Sequence, residues 1–421
     1  MECSNPCKGM YSRHLKAVVA ALLLLCMVTL LLYSSPPTSL IQSSVSLLRL
    51  DVFETSTSRT DTSPPLKEAV PTPACTPQNH IMYLKTHKCA STTVQNIFLR
   101  YGYTRNLMFA LKSEHLTNQF NYLGNPSKFK ASLIPRHLLP PSGKVDIFAL
   151  HTRLDISEHT KVLHNDTFWV TVVRDPVDLF ESLYNYFHLQ NFYMSSLEDF
   201  VKSPLKSLLH HPRYLNKFGH NQMMFDMGYE ANLDVIELRS AIEELDSKFH
   251  LVLISELLEE SLILLRHKLC WSLDDVIFFT KNARRKEFKP QLSNATQHRI
   301  REINSADALL YDYFLAKHKA AVLEFGKDRM AKELNKLQSL RDDYFDDCSI
   351  HTFKGHDPHV DQEFQEYSAQ VNAYVATNNN KDENCALLAM SELSFIKIIT
   401  TRQKELLKEM TMLKDIENVL I

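Results

Sequence analysis

The amino-acid sequence predicts an α/β protein with a central parallel sheet flanked by helices. Apolar runs of strand length at residues 81–83, 145–150, 168–173 and 250–254 alternate with segments whose apolar residues have helical spacing. Such alternation is typical of βαβ units, whose right-handed crossovers bring the carboxyl ends of all strands to one edge. Ligands bind at that edge in open α/β sheets. The residues directly after each strand are therefore the first candidates for a site, although the strand order stays open.

The first predicted element is a membrane anchor. Residues 17–33 form an uncharged apolar run, and Lys8, Arg13 and Lys16 precede it. The positive-inside rule then leaves residues 1–16 as a cytoplasmic tail and places everything after the run in the lumen, as in a single-pass type II protein. The short span suits the thinner membranes of the early secretory pathway. The alternative is a cleaved signal peptide.

The luminal part divides by composition. Residues 34–76 are rich in Ser, Thr and Pro, which predicts a flexible stem. The strands and helices lie in residues 77–345, and residues 346–421 are expected to pack on that domain as a C-terminal extension. The formal net charge of −2 argues against a nucleic-acid partner, so basic residues should be concentrated in a pocket.

Cysteine usage fits an oxidising compartment. We expect Cys89 to be a free thiol, because it lies within a candidate phosphate loop. The other luminal cysteines, Cys75, Cys270, Cys348 and Cys385, are expected to pair, and three connectivities remain open.

Other candidate sites carry less information. Asn165 and Asn294 begin glycosylation sequons. Histidine is frequent, but the spacings of histidine and cysteine favour no metal site. The sequence leaves open whether the protein forms a homodimer.

The strand at residues 81–83 leads into a candidate phosphate loop. The segment LKTHKCASTT carries lysines and hydroxyl residues, and a helix begins after it. A helix N-terminus offers unpaired backbone N–H groups, and lysine adds positive charge, which together suit phosphate binding. The motif G-x-x-x-x-G-K-[ST] is absent, so a nucleotide with fewer phosphates than a nucleoside triphosphate is expected.

A second candidate anion contact follows the strand at residues 168–173. Arg174 ends that strand, and Ser182 lies in the predicted helix from residue 177 to 190, so both side chains can reach one phosphate. The alternative is that Arg174 pairs with Asp175 or Asp178 while Ser182 is solvated.

Taken together, several segments resemble the galactose-3-O-sulfotransferases: LKTHKCASTTVQNIFLR, TVVRDPVDLFESLYNYF, MMFDMGYE, FHLVLISELLEESLILLRHKLCWSLDDV and KNARR. The resemblance is strong over residues 77–345 and weaker beyond. It implies a P-loop-like sulfotransferase fold in the Golgi membrane and 3′-phosphoadenosine 5′-phosphosulfate as a cosubstrate that is not permanently bound. The expected reaction sulfates the 3-hydroxyl of a terminal β-galactose, with galactosylceramide as the favoured acceptor. The alternatives are β-galactose on glycoprotein N- or O-glycans, or a lectin or scaffold without catalysis.

The resemblance also implies roles for individual residues. Lys88 would stabilise the charge of the leaving phosphate, and Arg174 and Ser182 would hold the 3′-phosphate. The expected cosubstrate contacts are Lys85, Thr86, Lys88, Ala90, Ser91, Thr92, Thr93, Arg174, Ser182, Arg284 and Arg285, of which the last two alternatively form a solvated basic face.

The reaction needs a base to accept the proton of the sugar hydroxyl. His151 directly follows the strand at residues 145–150, in an H-x-R context that resembles the catalytic segment of uronyl 2-O-sulfotransferases. His151 is the first candidate and His87, inside the phosphate loop, is the second. Arg153 is a candidate for orienting the base or the sulfate.

The acceptor site is predicted only in outline. Residues 101–144 are expected to carry acceptor loops. Tyr184, Tyr186, Phe187 and Tyr214 either stack on a galactose ring and line a lipid path or belong to the core.

Overall fold

The computed structural model describes residues 75–112, 121–377 and 383–420. The predicted cytoplasmic tail, the predicted anchor at residues 17–33 and nearly all of the predicted stem lie outside the described residues. Within the described ranges, no helix is both long enough and apolar enough to cross a membrane.

The central sheet has four parallel strands, as the sequence predicts, in the spatial order β2-β1-β3-β4. Its strands are β1 (Ile81–Leu84), β2 (Ile147–Phe148), β3 (Phe168–Val173) and β4 (Leu251–Ile254). All four residues of β1 are buried, as expected for an inner parallel strand covered on both faces.

Strand β2 is shorter than the predicted run at residues 145–150. The backbone beyond Phe148 turns to neighbouring loops: the His151 amide donates to the Asn121 carbonyl, and the Leu123 amide donates to the His151 carbonyl. The apolar run therefore stays buried, but most of its backbone pairs outside β1.

Helices flank the sheet, and a separate antiparallel pair of strands lies near the C-terminus. The helices are α1 (Ser91–Thr104), α2 (Ile156–Thr160), α3 (Pro176–Tyr186), α4 (Leu189–Tyr193), α5 (Leu197–Lys202), α6 (Leu205–His210), α7 (Gln222–Asp226), α8 (Val235–Lys248), α9 (Leu258–Leu269), α10 (Asn294–Ile303), α11 (Ser305–Phe325), α12 (Lys327–Asp347), α13 (Glu383–Ala389) and α14 (Glu392–Leu420). The antiparallel strands are β5 (Ile350–Lys354) and β6 (Asn372–Ala376). Short 3₁₀ helices cover Ala131–Leu133, Arg136–Leu138, Ser255–Leu257, Asp274–Val276, Lys286–Phe288 and Gln362–Phe364.

Local sequence signals explain the bounds of α3. The Asp175 carboxylate accepts from the Val177 amide, and Pro176 occupies the first helical position, where a missing N–H costs nothing. The helix ends at Tyr186, before the predicted residue 190, because His188 adopts a left-handed backbone conformation with φ 51°. That turn separates α3 from α4.

Residues of the C-terminal region contact α1 and the loop after it. The Asn96 side chain donates to the Leu387 carbonyl at 2.9 Å, and Arg100 donates to the Asn384 side chain at 3.1 Å. The Phe109 amide donates to the Gln403 side chain at 2.7 Å. These polar contacts hold α13 and α14 against the face of α1, the helix that follows the phosphate loop.

The disulfides join Cys75 to Cys270 and Cys348 to Cys385, while Cys89 is a buried free thiol. The expected pairing of four cysteines and the free Cys89 are confirmed. The structure selects one of the three open connectivities, because it brings the end of α12 beside α13.

Candidate active site

A cavity of about 760 Å³ lies at the carboxyl ends of the central strands. We call it the strand-end cavity. Its lining includes Lys88 after β1, His151 after β2, Arg174 after β3 and Glu256 after β4. The structure thus brings together the polar clusters that the sequence places at separate strand ends.

The phosphate loop makes a sharp turn into α1. Lys88 and Ala90 have φ of 58° and 57°, in the left-handed region. Ala90 caps α1 without a side-chain hydrogen bond, and Ser91 and Thr92 line the cavity. The first backbone N–H groups of α1 can therefore donate hydrogen bonds to an anion. The helix dipole adds to the attraction between the helix N-terminus and that anion.

Lys88 combines positive charge with partial desolvation. Its Nζ lies 3.6 Å from the centroid of the Tyr186 ring, in a cation–π contact. Desolvation, with the nearby charges of Arg174 and Arg284, lowers the pKa of Lys88 to about 7. An anion beside this ammonium offsets both effects, so the site favours a negatively charged ligand.

Arg174 and Ser182 both line the strand-end cavity. The Arg174 guanidinium donates to the Lys88 carbonyl at 2.9 Å, and its nitrogens lie 3.7 Å from Asp178 and 3.9 Å from Glu256. The alternative partner Asp175 instead pairs with an arginine of α10. Arg174 is therefore fixed at the loop by one hydrogen bond, and it also forms longer ion pairs with Asp178, the other alternative partner, and with Glu256.

Four of the predicted contact side chains lie behind the cavity wall. Lys85 is fully buried, and its Nζ lies 2.7 Å from the Gln95 side chain and 2.6 Å from Glu392. Burial lowers the pKa of Lys85, and the Glu392 carboxylate acts against this. The Lys85 side chain thus supports the loop from below and does not face the cavity.

The side chains of Thr86, Thr93 and Arg285 also interact with protein groups outside the cavity. The Thr86 hydroxyl donates to a β3 carbonyl at 2.7 Å, and the Thr93 hydroxyl accepts from the Lys281 amide at 2.8 Å. Arg285 lies 3.1 Å from Glu287. These side chains hold the site together from outside its lining.

In the basic run after residue 280, some side chains line the cavity and others do not. Arg284 lines the cavity and forms an ion pair with Glu181 of α3. Lys281, which the sequence did not single out, also lines the cavity, and burial lowers its pKa to about 8. Its Nζ lies 3.9 Å from the buried Glu366.

His87 has a carboxylate partner. Its Nδ1 lies 2.9 Å from both oxygens of Asp226, and the His87 amide donates to the same carboxylate at 2.7 Å. Nε2 lies 3.1 Å from the Tyr122 hydroxyl, which also lines the cavity. This arrangement assigns the ring proton to Nδ1 and leaves Nε2 to accept a hydrogen bond from the Tyr122 hydroxyl at the cavity wall.

His151 has a neutral partner. Its ring stacks on His87 with centroids 4.5 Å apart, and its Nδ1 lies 3.1 Å from the Lys85 carbonyl oxygen. Burial, and then the charge of Lys85, hold the pKa of His151 well below its ordinary value. His151 is therefore a neutral imidazole that is hard to protonate.

Arg153 does not line the strand-end cavity. Its guanidinium donates to the Phe225 and Tyr229 carbonyls and to Glu230, at 3.2, 3.0 and 2.7 Å. It secures the end of α7, where Asp226 lies, and the turn that follows. Any influence on the base passes through that turn.

The predicted acceptor aromatics divide into two groups. Tyr186 and Phe187 line the strand-end cavity. Tyr184 belongs to the core, where its hydroxyl donates to the Ser195 carbonyl at 2.8 Å, and Tyr214 packs 5.1 Å from Phe192. Of the predicted acceptor loops in residues 101–144, Asn121 and Tyr122 reach the cavity, whereas residues 113–120 lie outside the described part.

A second cavity of about 1,020 Å³ adjoins the first. Both are lined by Tyr367 and Leu393 of the C-terminal region. Its wall carries many charged side chains, namely Asp361, Glu363, Glu366, Lys397, Arg402 and Glu405.

Several lining or supporting residues lacked a sequence signal. Asp226, Lys281, Glu366 and Glu392 are acidic or basic residues buried by tertiary contacts. Only Asp226 had a usable hint, as a single acidic residue inside the apolar run MMFDM. The two sequon asparagines, Asn165 and Asn294, are both exposed.

The comparisons with known proteins agree on one family. A family model described as galactose-3-O-sulfotransferase matches residues 5–403. The chain is similar to the galactosylceramide sulfotransferase of Mus musculus, with 35% identity over 306 residues that cover 69% of this chain and 70% of the relative. It is also similar to galactose-3-O-sulfotransferase 2 of Homo sapiens, with 36% identity over 272 residues covering 63% and 67%. For galactose-3-O-sulfotransferase 3 of Mus musculus, the identity is 33% over 288 residues covering 66% and 64%. Identity alone does not choose among these relatives.

The buried pair of Lys85 and Glu392 generates a stability prediction. Lys85→Met or Glu392→Gln alone should lower the free energy of unfolding by about 3–5 kcal/mol, because each leaves a buried charge without its partner. The double variant Lys85→Met/Glu392→Leu should recover much of that loss. Chemical denaturation of the full-length protein measures all three.

The exposed pair of Lys202 and Asp199 provides the control, since their side chains are 71% and 66% exposed. Lys202→Ala should change the unfolding midpoint little. Single Lys85 and Glu392 variants as stable as this control would show that the buried pair does not hold the loop.

Proposed function

The chain belongs to the galactose-3-O-sulfotransferase family, and on that basis we propose that it transfers a sulfuryl group from 3′-phosphoadenosine 5′-phosphosulfate to the 3-hydroxyl of a β-galactose. The observation that carries the proposal is the convergence of Lys88, Arg174 and Arg284 with the N-terminus of α1 on one cavity. A donor with anionic groups at both ends of its ribose fits this distribution of charge.

The donor would lie across the two strand ends. The 5′-phosphosulfate meets the N–H groups at the start of α1 and the Lys88 ammonium, and the 3′-phosphate meets Arg174 and Ser182. Because Lys88 gains an anionic partner on binding, its ammonium form is stabilised at the moment when the leaving phosphate needs positive charge.

His87 is the proposed base, which reverses the order suggested by the sequence. Its Nε2 lies beside the Tyr122 hydroxyl at the cavity wall, and the Asp226 carboxylate stabilises the imidazolium that forms when it takes a proton. His151 has only a carbonyl oxygen as its Nδ1 partner and a strongly lowered pKa. In this proposal His151 orients the His87 ring by stacking.

The galactose 3-oxygen forms a bond to sulfur, the bond between sulfur and the 5′-phosphate oxygen breaks, and the hydroxyl proton passes to His87 Nε2. The products are the sulfated galactoside and adenosine 3′,5′-bisphosphate. By analogy with phosphoryl transfer, positioned cations and donors supply most of the stabilisation.

Galactosylceramide is the proposed acceptor. A row of aromatic contacts leads outward from the cavity: Phe187 stacks on Phe218 at 3.6 Å, and Phe192 packs 5.1 Å from Tyr214. Met194 and Leu215 lie near this row in sequence and are 86% and 64% exposed.

We define Phe192, Met194 and Leu215 as the apolar rim. Phe192 contacts Tyr214, which precedes Leu215 in sequence, and a group of exposed apolar side chains favours a lipid or membrane surface as partner. The proposed Golgi location and the predicted anchor at residues 17–33 would keep the protein in a membrane that also holds a glycolipid acceptor.

A β-galactose on a glycoprotein glycan is the second candidate acceptor. The charged lining of the adjoining cavity favours it, because sugar hydroxyls hydrogen-bond well to carboxylate and guanidinium groups. Which acceptor is preferred depends on whether the part beyond the galactose lies on the apolar rim or in that cavity.

The pKa of Lys88 predicts a pH dependence of product binding. The ammonium predominates below a pKa of about 7 and is lost above it. Affinity for adenosine 3′,5′-bisphosphate should therefore be highest below pH 7 and fall by up to about tenfold per pH unit above it. Calorimetry at several pH values measures this dependence.

Lys88→Arg keeps its charge throughout and should flatten the profile, whereas Lys88→Ala should bind weakly at every pH. A wild-type protein that binds the bisphosphate equally well from pH 6 to 9 contradicts this role. No heat of binding at any pH would refute the donor site itself.

If His87 is the base, substitution of His87 should lower kcat more than substitution of His151. His87→Gln should lower kcat for sulfate transfer by about 10²–10⁴-fold, with bisphosphate affinity nearly unchanged. His151→Gln should lose less, because it removes stacking and not the proton acceptor. Radiolabelled donor with galactosylceramide, lactosylceramide and N-acetyllactosamine as acceptors measures the rates.

Asp226→Asn should also lower kcat for sulfate transfer, as His87→Gln does. A larger loss for His151→Gln than for His87→Gln would return His151 to the role of base. Absence of transfer to every galactoside by folded wild-type protein that still binds the bisphosphate would refute the proposed reaction.

The apolar rim predicts a difference between acceptors. The double variant Met194→Glu/Leu215→Glu should lower activity on galactosylceramide in vesicles by at least about tenfold, because charge replaces apolar contact with lipid. Activity on a soluble β-galactoside should stay close to wild type. Parallel assays on the two acceptors measure the ratio.

Ile236→Glu is the matched control, since Ile236 is 77% exposed on α8. It should leave both activities unchanged. Equal loss on both acceptors in the rim variant would point to misfolding, and no loss on either would favour the glycan acceptor.

A further inference from the structure

Two histidines and an aspartate meet at the edge of the sheet opposite the strand-end cavity. His80 precedes β1, Asp146 precedes β2, and His164 lies shortly before β3. Backbone hydrogen bonds join these segments: the Ile81 amide donates to the Asp146 carbonyl at 2.7 Å, and the Phe168 amide donates to the His80 carbonyl at 2.8 Å. The three side chains therefore extend from a rigid part of the fold.

Their ligand atoms have the spacing of a metal site. Asp146 Oδ1 lies 3.6 Å from His80 Nε2 and 3.2 Å from His164 Nε2, and the three atoms lie within 4.8 Å of one another. Zinc bonds of about 2.0–2.1 Å in tetrahedral geometry place neighbouring ligands about 3.3–3.4 Å apart. Two of the observed separations thus match the edges of a zinc tetrahedron closely. The rings of His80 and His164 stack with centroids 3.9 Å apart, so they have to turn apart for both Nε2 lone pairs to meet one ion.

The ligands are also oriented by partners of their own. His80 Nδ1 lies 2.7 Å from Asp166 Oδ1, so Nδ1 carries the ring proton and donates a hydrogen bond to that carboxylate. Nε2 is then the ligand atom. The second oxygen of Asp146 accepts from the Met108 amide at 2.7 Å. A carboxylate behind a ligating histidine is a common arrangement in zinc proteins, where it fixes the ring and raises ligand basicity.

We propose that His80, Asp146 and His164 bind a divalent zinc ion. Asp146 and Asp166 carry two negative charges and balance the charge of the ion. The side chains of His80, Asp146 and His164 are 27%, 20% and 29% exposed, so water can supply the fourth ligand. Imidazole and carboxylate are ligands suited to zinc.

The site has a structural consequence that is separate from sulfate transfer. It cross-links the entries of β1, β2 and β3, so binding stabilises the folded state over the unfolded chain, in which residues 80, 146 and 164 are far apart. No sequence motif predicts this site, because the ligands come from three strand entries and follow none of the short zinc spacings.

The test uses the purified full-length protein after treatment with a chelator and desalting. Addition of zinc should load one equivalent at this site, measured by elemental analysis, and should raise the thermal unfolding midpoint. Cobalt in place of zinc should give visible absorption bands of a four-coordinate site. His164→Gln should lose this equivalent, the bands and the thermal shift.

Asp166→Asn should bind zinc about 10- to 100-fold more weakly, because it removes only the partner of His80. This change keeps the Asn165 sequon, since residues 165–167 become Asn-Asn-Thr. His137→Gln, at an exposed histidine outside the cluster, is the matched control and should bind as the unchanged chain does. Equal zinc affinity and stoichiometry in His164→Gln and the unchanged protein, or no binding by the unchanged protein, would overturn the proposal.

Discussion

The buried ion pair between Lys85 and Glu392 is the contact on which the candidate site depends. Lys85 is the residue directly after β1, and Glu392 begins α14, more than three hundred positions later in the chain. An ammonium at this depth is costly unless a carboxylate accompanies it. The ion pair therefore attaches the phosphate loop to the C-terminal region. A second buried pair, Lys281 with Glu366, ties the opposite wall of the cavity to the same region.

The lysines of the phosphate loop differ in how far nearby carboxylates compensate their charge. Lys85 is neutralised from below, whereas Lys88 is surrounded by Arg174 and Arg284 and has a lowered pKa. Such an arrangement is unfavourable without an anion and favourable with one, so ligand binding relieves a repulsion that folding creates. The two stacked histidines differ in their partners: His87 Nδ1 lies beside the Asp226 carboxylate, whereas His151 Nδ1 has only a carbonyl oxygen, and burial with the charge of Lys85 lowers the pKa of His151.

Local patterns were sufficient for much of the fold. Apolar runs predicted all four central strands, and Asp175 with Pro176 marked the start of α3 within one residue. These features depend on side-chain periodicity and on backbone conformations that a few neighbouring residues decide. The length of β2 was wrong, because backbone hydrogen bonds of the predicted run go to Met108, Ala110 and Val162, contacts with no local signature.

The sequence by itself also determined which residues stand at the strand ends: Lys88, Arg174 and both candidate histidines reach the cavity because parallel strands expose their carboxyl ends on one side. Only the tertiary structure decided which partners each of them has there. The assignment of roles depends on partners such as Asp226 and Glu392, which are distant in sequence and acquire their effect by being buried. Desolvation and ion pairing are properties of the packed interior. They arise only when remote segments meet, so no window of neighbouring residues contains them.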